Sequence, residues 1–189
     1  LTDSGEKSVG ARIARANYIM DMKLVRSAAL LTALLALTAT STAATFAASN
    51  PSSTVGLQGQ TLTVSKVSGV KSGDTLVVTG KGFDTTVGIY VAMCKVVAPT
   101  LLPSPCGGGV NQSGASAASF WISSNPPSYG RGLAIPYGAG GTFKVNLKVS
   151  PMIGTLDCRK TACAVYVRAD HLRTQDRTHD AHVPLNFSK

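Results

Sequence analysis

The 189-residue chain carries 18 Lys plus Arg against 9 Asp plus Glu, a formal charge of +9. Only 14% of its residues are charged and 6% aromatic, while 44% are apolar. That apolar content excludes a charge-rich disordered chain. Glutamate, which long soluble helices favour, occurs once, at Glu6, so a helical bundle is excluded as well.

The chain opens with two segments that stand apart from the rest. Ser27 to Ala39 is uncharged and apolar, follows Lys23 and Arg26, and precedes the small-x-small sequences Ser41-Thr42-Ala43 and Thr45-Phe46-Ala47. It is too short to span a bilayer, which takes about 20 apolar residues. A basic start, a short apolar run and such a site define a secretory signal peptide. The expected division is an upstream extension over 1–19, a signal peptide over 20–47, a flexible Ser/Gly/Pro-rich lead over 48–60 and one domain over 61–189. From residue 48 onward, 13 Lys plus Arg against 6 Asp leave +7.

Beyond the lead, short segments of strand character alternate with turn residues. These are Thr61–Val67, Thr75–Gly80, Ile89–Val97, Phe143–Val149, Cys163–Arg168 and Ala181–Phe187. Phe143-Lys144-Val145-Asn146-Leu147-Lys148-Val149 alternates strictly, so one face is buried and the other wet. Pro184 places the last strand at an edge or a bulge, because proline cannot donate to a ladder. Between Pro99 and Gly141 the pattern breaks into a Pro/Gly/Ser-rich insert holding the single tryptophan, Trp121, with Phe120, Tyr129 and Tyr137. Ala118–Ile122 has strand character within it. The fold class is all-β, an antiparallel sandwich.

All four cysteines, Cys94, Cys106, Cys158 and Cys163, lie in this domain, and an even number in an exported chain favours disulfides. Three connectivities are open; spacing favours Cys94 with Cys106 and Cys158 with Cys163. Neither pair is a CxxC, which argues against zinc-finger and thioredoxin-type chemistry.

The densest polar cluster, Arg168 to His182, is open to several readings. A hydrolase would pair His171 with Asp170 or Asp176, but no G-x-S-x-G elbow accompanies them. Metal or haem ligation would use His171, or His179 with His182. The mixed signs fit best a loop stapled by Arg–Asp pairs. Trp121 and Tyr129 either line a ligand site or pack the insert onto the sandwich. Lys66, Lys71, Lys81, Lys95, Lys144 and Lys148 are dispersed, with no groove-reading motif, so direct DNA binding is not expected. Attraction to an anionic cell envelope is at least as reasonable a reading of the charge in an exported domain.

Val77-Val78-Thr79-Gly80-Lys81-Gly82-Phe83, then Tyr90-Val91-Ala92-Met93-Cys94, Gly141-Thr142-Phe143, Asp157-Cys158-Arg159-Lys160-Thr161-Ala162-Cys163-Ala164-Val165 and Val183-Pro184-Leu185-Asn186-Phe187 follow one another in a distinctive order. Together they resemble the neocarzinostatin/macromomycin family of secreted actinobacterial apoproteins, over roughly Thr61 to Phe187. The resemblance implies a seven-stranded immunoglobulin-like sandwich with two local disulfides. It implies a non-enzymatic, monomeric protein with no cofactor beyond a non-covalent, small apolar chromophore of the enediyne type, which damages DNA once released. It places Cys94–Cys106 on the floor of the ligand cleft and the loop from Asp170 to Asp180 in one wall. Cys94, Val96, Cys106, Trp121, Tyr129, Ala164 and His171 are the expected ligand-binding residues. Val96 stands where the family has an aromatic, Ala164 where it has a polar residue, and a charged loop replaces its Gly/Ala-rich one. Trp121–Gly130 and Arg168–His171 are also similar to a less defined group of actinobacterial surface domains, some of which accompany haem-uptake modules. That likeness implies the alternative of an extracellular interaction module.

Overall fold

The computed structural model describes residues 50–109 and 111–189. The expected extension (1–19) and signal peptide (20–47) lie outside the described residues. Ten strands lie among the described residues: β1 Ser52–Val55, β2 Thr61–Val64, β3 Thr75–Lys81, β4 Ile89–Lys95, β5 Ser119–Ile122, β6 Phe143–Lys148, β7 Met152–Ile153, β8 Leu156–Asp157, β9 Cys163–Ala169 and β10 Ala181–Leu185. One sheet has the order β1-β2-β3-β6, the other β10-β9-β4-β5, and β7-β8 form a separate hairpin. Every strand pair is antiparallel.

Period-2 alternation builds the core between the two sheets. In β6, Phe143, Val145 and Leu147 are buried while Lys144, Asn146 and Lys148 face water. Leu62, Val64, Leu76 and Val78 come from the same sheet and meet Ile89, Val91, Met93, Val165 and Val167 of the other. Each such side chain contributes roughly 1.5–3 kcal/mol by leaving water. Pro184 sits on β10, an edge strand, as its missing N–H requires.

The two sheets form the expected antiparallel sandwich, close to seven-stranded in count, and within the segment expected as a flexible lead over 48–60 Ser52–Val55 forms β1. Ser52–Val55 pairs with β2 from Ser52↔Val64 to Val55↔Thr61, and the Ser53 and Thr63 hydroxyls meet at 2.7 Å. The turn that follows is tied down by Gln60, which is fully buried. Its carbonyl oxygen accepts from the Gln58 N–H, and its amide donates to the Thr178 carbonyl. Backbone pairing at a sheet edge needs no apolar side chains, so a Ser/Thr-rich segment forms a strand without a hydrophobic signal.

The disulfides are Cys94–Cys106, closing a separation of 12, and Cys158–Cys163, closing one of 5. The first ties the start of the insert to β4. Farther on, the insert folds back along β5: Ile135 N–H donates to the Trp121 carbonyl and Ser123 N–H to the Ile135 carbonyl. Asn111, at φ 44°, knots the intervening loop, its amide donating to the carbonyls of Ser116 and Ser119.

Candidate functional site

β4 is buried on both faces. Its odd-numbered residues Ile89, Val91 and Met93 enter the core, so Tyr90, Ala92 and Cys94 face away from it. Register sets Tyr90 beside Arg168 of β9 and Trp121 of β5, and Cys94 beside Ala164. Over this outer face lie the insert and the loop between β9 and β10, and together they leave two adjoining hollows.

The smaller hollow, about 380 Å³, is lined by Cys94, Cys106, Ala92, Tyr166 and Arg168, with His171 and Thr174 from the β9–β10 loop. The larger, about 670 Å³, is lined by Phe120, Trp121, Tyr129, Leu133 and Ile135. Tyr90, Ser119 and His171 line both.

His171 stands between the two. One ring nitrogen, Nδ1, is 2.5 Å from the Tyr90 hydroxyl and the other, Nε2, 2.6 Å from that of Tyr129. In a neutral imidazole one nitrogen donates and the other accepts, so one tyrosine hydroxyl donates a hydrogen bond to the ring and the other accepts one. The Trp121 indole meets the imidazole edge-on, with centroids 5.2 Å apart. Burial raises the Tyr90 phenol above its ordinary range, with the Asp170 charge adding to the effect.

Asp170 fixes this cluster from below. It is 1% exposed, and its carboxylate accepts from the Trp121 indole N–H and the Leu172 backbone N–H, both at 2.9 Å. Gly88 makes room for that carboxylate: a Cβ there would overlap Asp170 Oδ2. Trp121 both packs the insert and lines a hollow, since its indole is pressed against Gly130, where a Cβ would overlap the ring.

The seven expected ligand residues therefore separate. Cys94, Cys106 and His171 meet in the smaller hollow; Trp121, Tyr129 and His171 meet in the larger. Val96 and Ala164 line neither. Ala164 is fully buried with Ala92, Cys94 and Tyr166, and Val96 and Cys106 pack on top of it. Tyr90, Arg168, Ser119 and Asp170 were not among the expected ligand residues.

The other polar readings resolve similarly. His179 is buried and bonded to Asp176 at 3.1 Å, whereas His182 is stacked on Tyr166. Among the described residues no group of three His, Cys, Asp or Glu converges as a metal site. Arg177 pairs with Asp180 at 2.8 Å, a staple within the loop. Burial pushes the Asp180 carboxyl up to about 6, against the pull of Arg177 and Arg168. Its ordinary value is 3.8, so the folded protein binds the extra proton between about pH 4 and 6. Stability from this group is fully present below pH 4 and is lost as the pH rises to 6, by on the order of 2 kcal/mol. Asp74, Asp84 and Asp176, held low by hydrogen bonds, act in the opposite sense and at lower pH. Asp180→Asn is expected to flatten the decline between pH 4 and 6, read from urea midpoints across that range. An unchanged slope would contradict the assignment.

The neocarzinostatin family model matches residues 62–187, two thirds of the chain. The chain belongs to the neocarzinostatin family. The match begins within β2 and ends past β10, so every strand but β1 and the residues lining the hollows on the outer face fall within it. The solved structure of macromomycin is similar over 73% of this chain and 99% of its own, with 17% identity and a TM-score of 0.42. No curated protein matches the sequence.

Proposed function

We propose that the protein is a secreted, non-enzymatic carrier of a small apolar ligand, of the antibiotic-chromophore apoprotein kind. Family membership supports the general kind of activity. The observation that carries the reading to this chain is the hollow over Cys94–Cys106, walled by the β9–β10 loop and continuous with an aromatic-lined neighbour. Concave, mostly apolar sites with a few placed polar groups are how proteins hold small molecules. His171 suits positioning, not catalysis, because both ring nitrogens are engaged by tyrosine hydroxyls and not by a serine. Export accords with two disulfides. Any effect on DNA belongs to the ligand.

Native mass spectrometry of protein purified from its native culture tests this directly. A species heavier than the chain, losing a constant mass on denaturation and absorbing in the near-ultraviolet or visible range, is expected. Bare, colourless protein would overturn the carrier reading and leave the extracellular interaction module in its place.

A further inference from the structure

Arg168 stands in the smaller hollow and pairs with no carboxylate among the described residues. It lies on the outward face of β9 beside Tyr90, its guanidinium carbon 5.4 Å from the centre of the Tyr90 ring. The ion pairs among the described residues are Lys66–Asp74, Arg159–Asp157, Arg177–Asp180 and His179–Asp176, and Arg168 is in none of them. Of the acidic residues that flank the β9–β10 loop, Asp170 accepts from Trp121 and Leu172, and Asp180 bonds Arg177 through Oδ2; the Asp180 charge favours the Arg168 cation but makes no ion-pair contact with it. Burial opposes the charged form of Arg168, and the neighbouring Arg177 charge adds to that opposition. A cation partly removed from water is costly unless an anion or a set of acceptors meets it.

We propose that the ligand of this hollow carries an oxyanion, a carboxylate or sulfonate on an apolar body, which pairs with the Arg168 guanidinium. The planar fork of an arginine takes such a group through two parallel hydrogen bonds. The apolar body then rests on Ala92 and the Cys94–Cys106 bridge, with Tyr90 and His171 on the side of the aromatic hollow. The proposal rests on the carrier reading and adds a charge requirement to it. An uncharged apolar molecule would fill the same space and leave the guanidinium unpaired.

Two fluorescent probes of one skeleton test it: 1-anilinonaphthalene-8-sulfonate, which is anionic, and N-phenyl-1-naphthylamine, which is neutral. Titrated into the ligand-free folded protein, both are expected to bind. Arg168→Met should weaken the sulfonate probe about tenfold while leaving the neutral probe within about twofold. Arg168→Lys, which keeps the charge but not the fork, should lose less, and added salt should weaken only the sulfonate probe. Thr174→Trp, filling the hollow from its loop wall, should remove both. Equal losses for the two probes in Arg168→Met, or no loss for either, would overturn the charge requirement while the carrier reading stands. Failure of both probes to bind the unaltered protein would overturn the carrier reading, and the charge requirement with it.

Discussion

Gly141→Ala is expected to remove a large share of the stability of the domain. Gly141 has φ +64°, and a Cβ there would overlap the carbonyl oxygen of Phe83 and lie 2.7 Å from its nitrogen. Both are backbone atoms, so no rotamer change can relieve the contact. That backbone is also laced to the same turn, since Gly82 and Phe83 donate their N–H groups to the Gly140 and Gly141 carbonyls. Moving it would pull Phe83 off Phe143, whose rings pack 5.3 Å apart at the end of the β3–β6 pairing. A cost of 3 kcal/mol or more, roughly, is a large share of the 5–15 kcal/mol that domains possess. Gly140→Ala is the control. It has φ +67° but nothing within 4 Å of a Cβ, so only the left-handed backbone penalty of about 1–2 kcal/mol applies. The urea midpoint should shift about twofold or more further in Gly141→Ala than in Gly140→Ala; equal shifts would refute the close approach as the cause.

What the sequence discloses about this fold follows from where side chains carry the signal. β6 is readable because its alternation reports one wet and one dry face, and β4 because a strand covered on both sides must be apolar throughout. β1 is held by backbone pairing and by Gln60, a buried polar anchor whose partners lie two residues away and on the far side of the chain. β7 and β8, two residues each, are too short to show any period.

The site divides along the same line. The cysteine spacing favours the short bridges that form, and the aromatic content of the insert marks Trp121 and Tyr129. Tyr90 was within reach, because positions 90, 92 and 94 share a strand face and Cys94 was already placed at the cleft. What no spacing shows is that a loop 81 residues beyond Tyr90 and 42 beyond Tyr129 would bring His171 against both, or that Asp170 would turn inward beneath Trp121. Val96 and Ala164 point the other way. They were expected from positions in a family pattern, yet Ala164 is fully buried among Ala92, Cys94 and Tyr166, and Val96 packs half-buried against that cluster. A motif position fixes a place on a strand, and the loops decide whether that place is open.

Asp170→Ala is expected to destabilise the domain by on the order of 3 kcal/mol and to disorganise both hollows together. The carboxylate meets two donors from different elements, the indole of β5 and the amide of Leu172, and its removal leaves a part-buried N–H without an acceptor. The loop then loses its tie next to His171, the residue that both hollows share. Trp121 is the single tryptophan of the sequence, so its emission reports this change without labelling. The expected signature is a red shift with loss of affinity for the neutral naphthylamine probe, even below the unfolding transition. Asp170→Asn should fall between, since an amide offers one acceptor oxygen but sets an N–H₂ against the other donor. Gly88→Ala approaches the same contact from the opposite side, because its Cβ would overlap Asp170 Oδ2 and lie 3.1 Å from the indole nitrogen. It should reproduce the red shift with the carboxylate intact. If Asp170→Ala kept the native emission and midpoint, the carboxylate would be a bystander. If Gly88→Ala alone did so, the contact would have room to yield. A shared signature from two residues, one just before β4 and one just after β9 and neither lining a hollow, would identify the indole–carboxylate bond as what positions the aromatic wall.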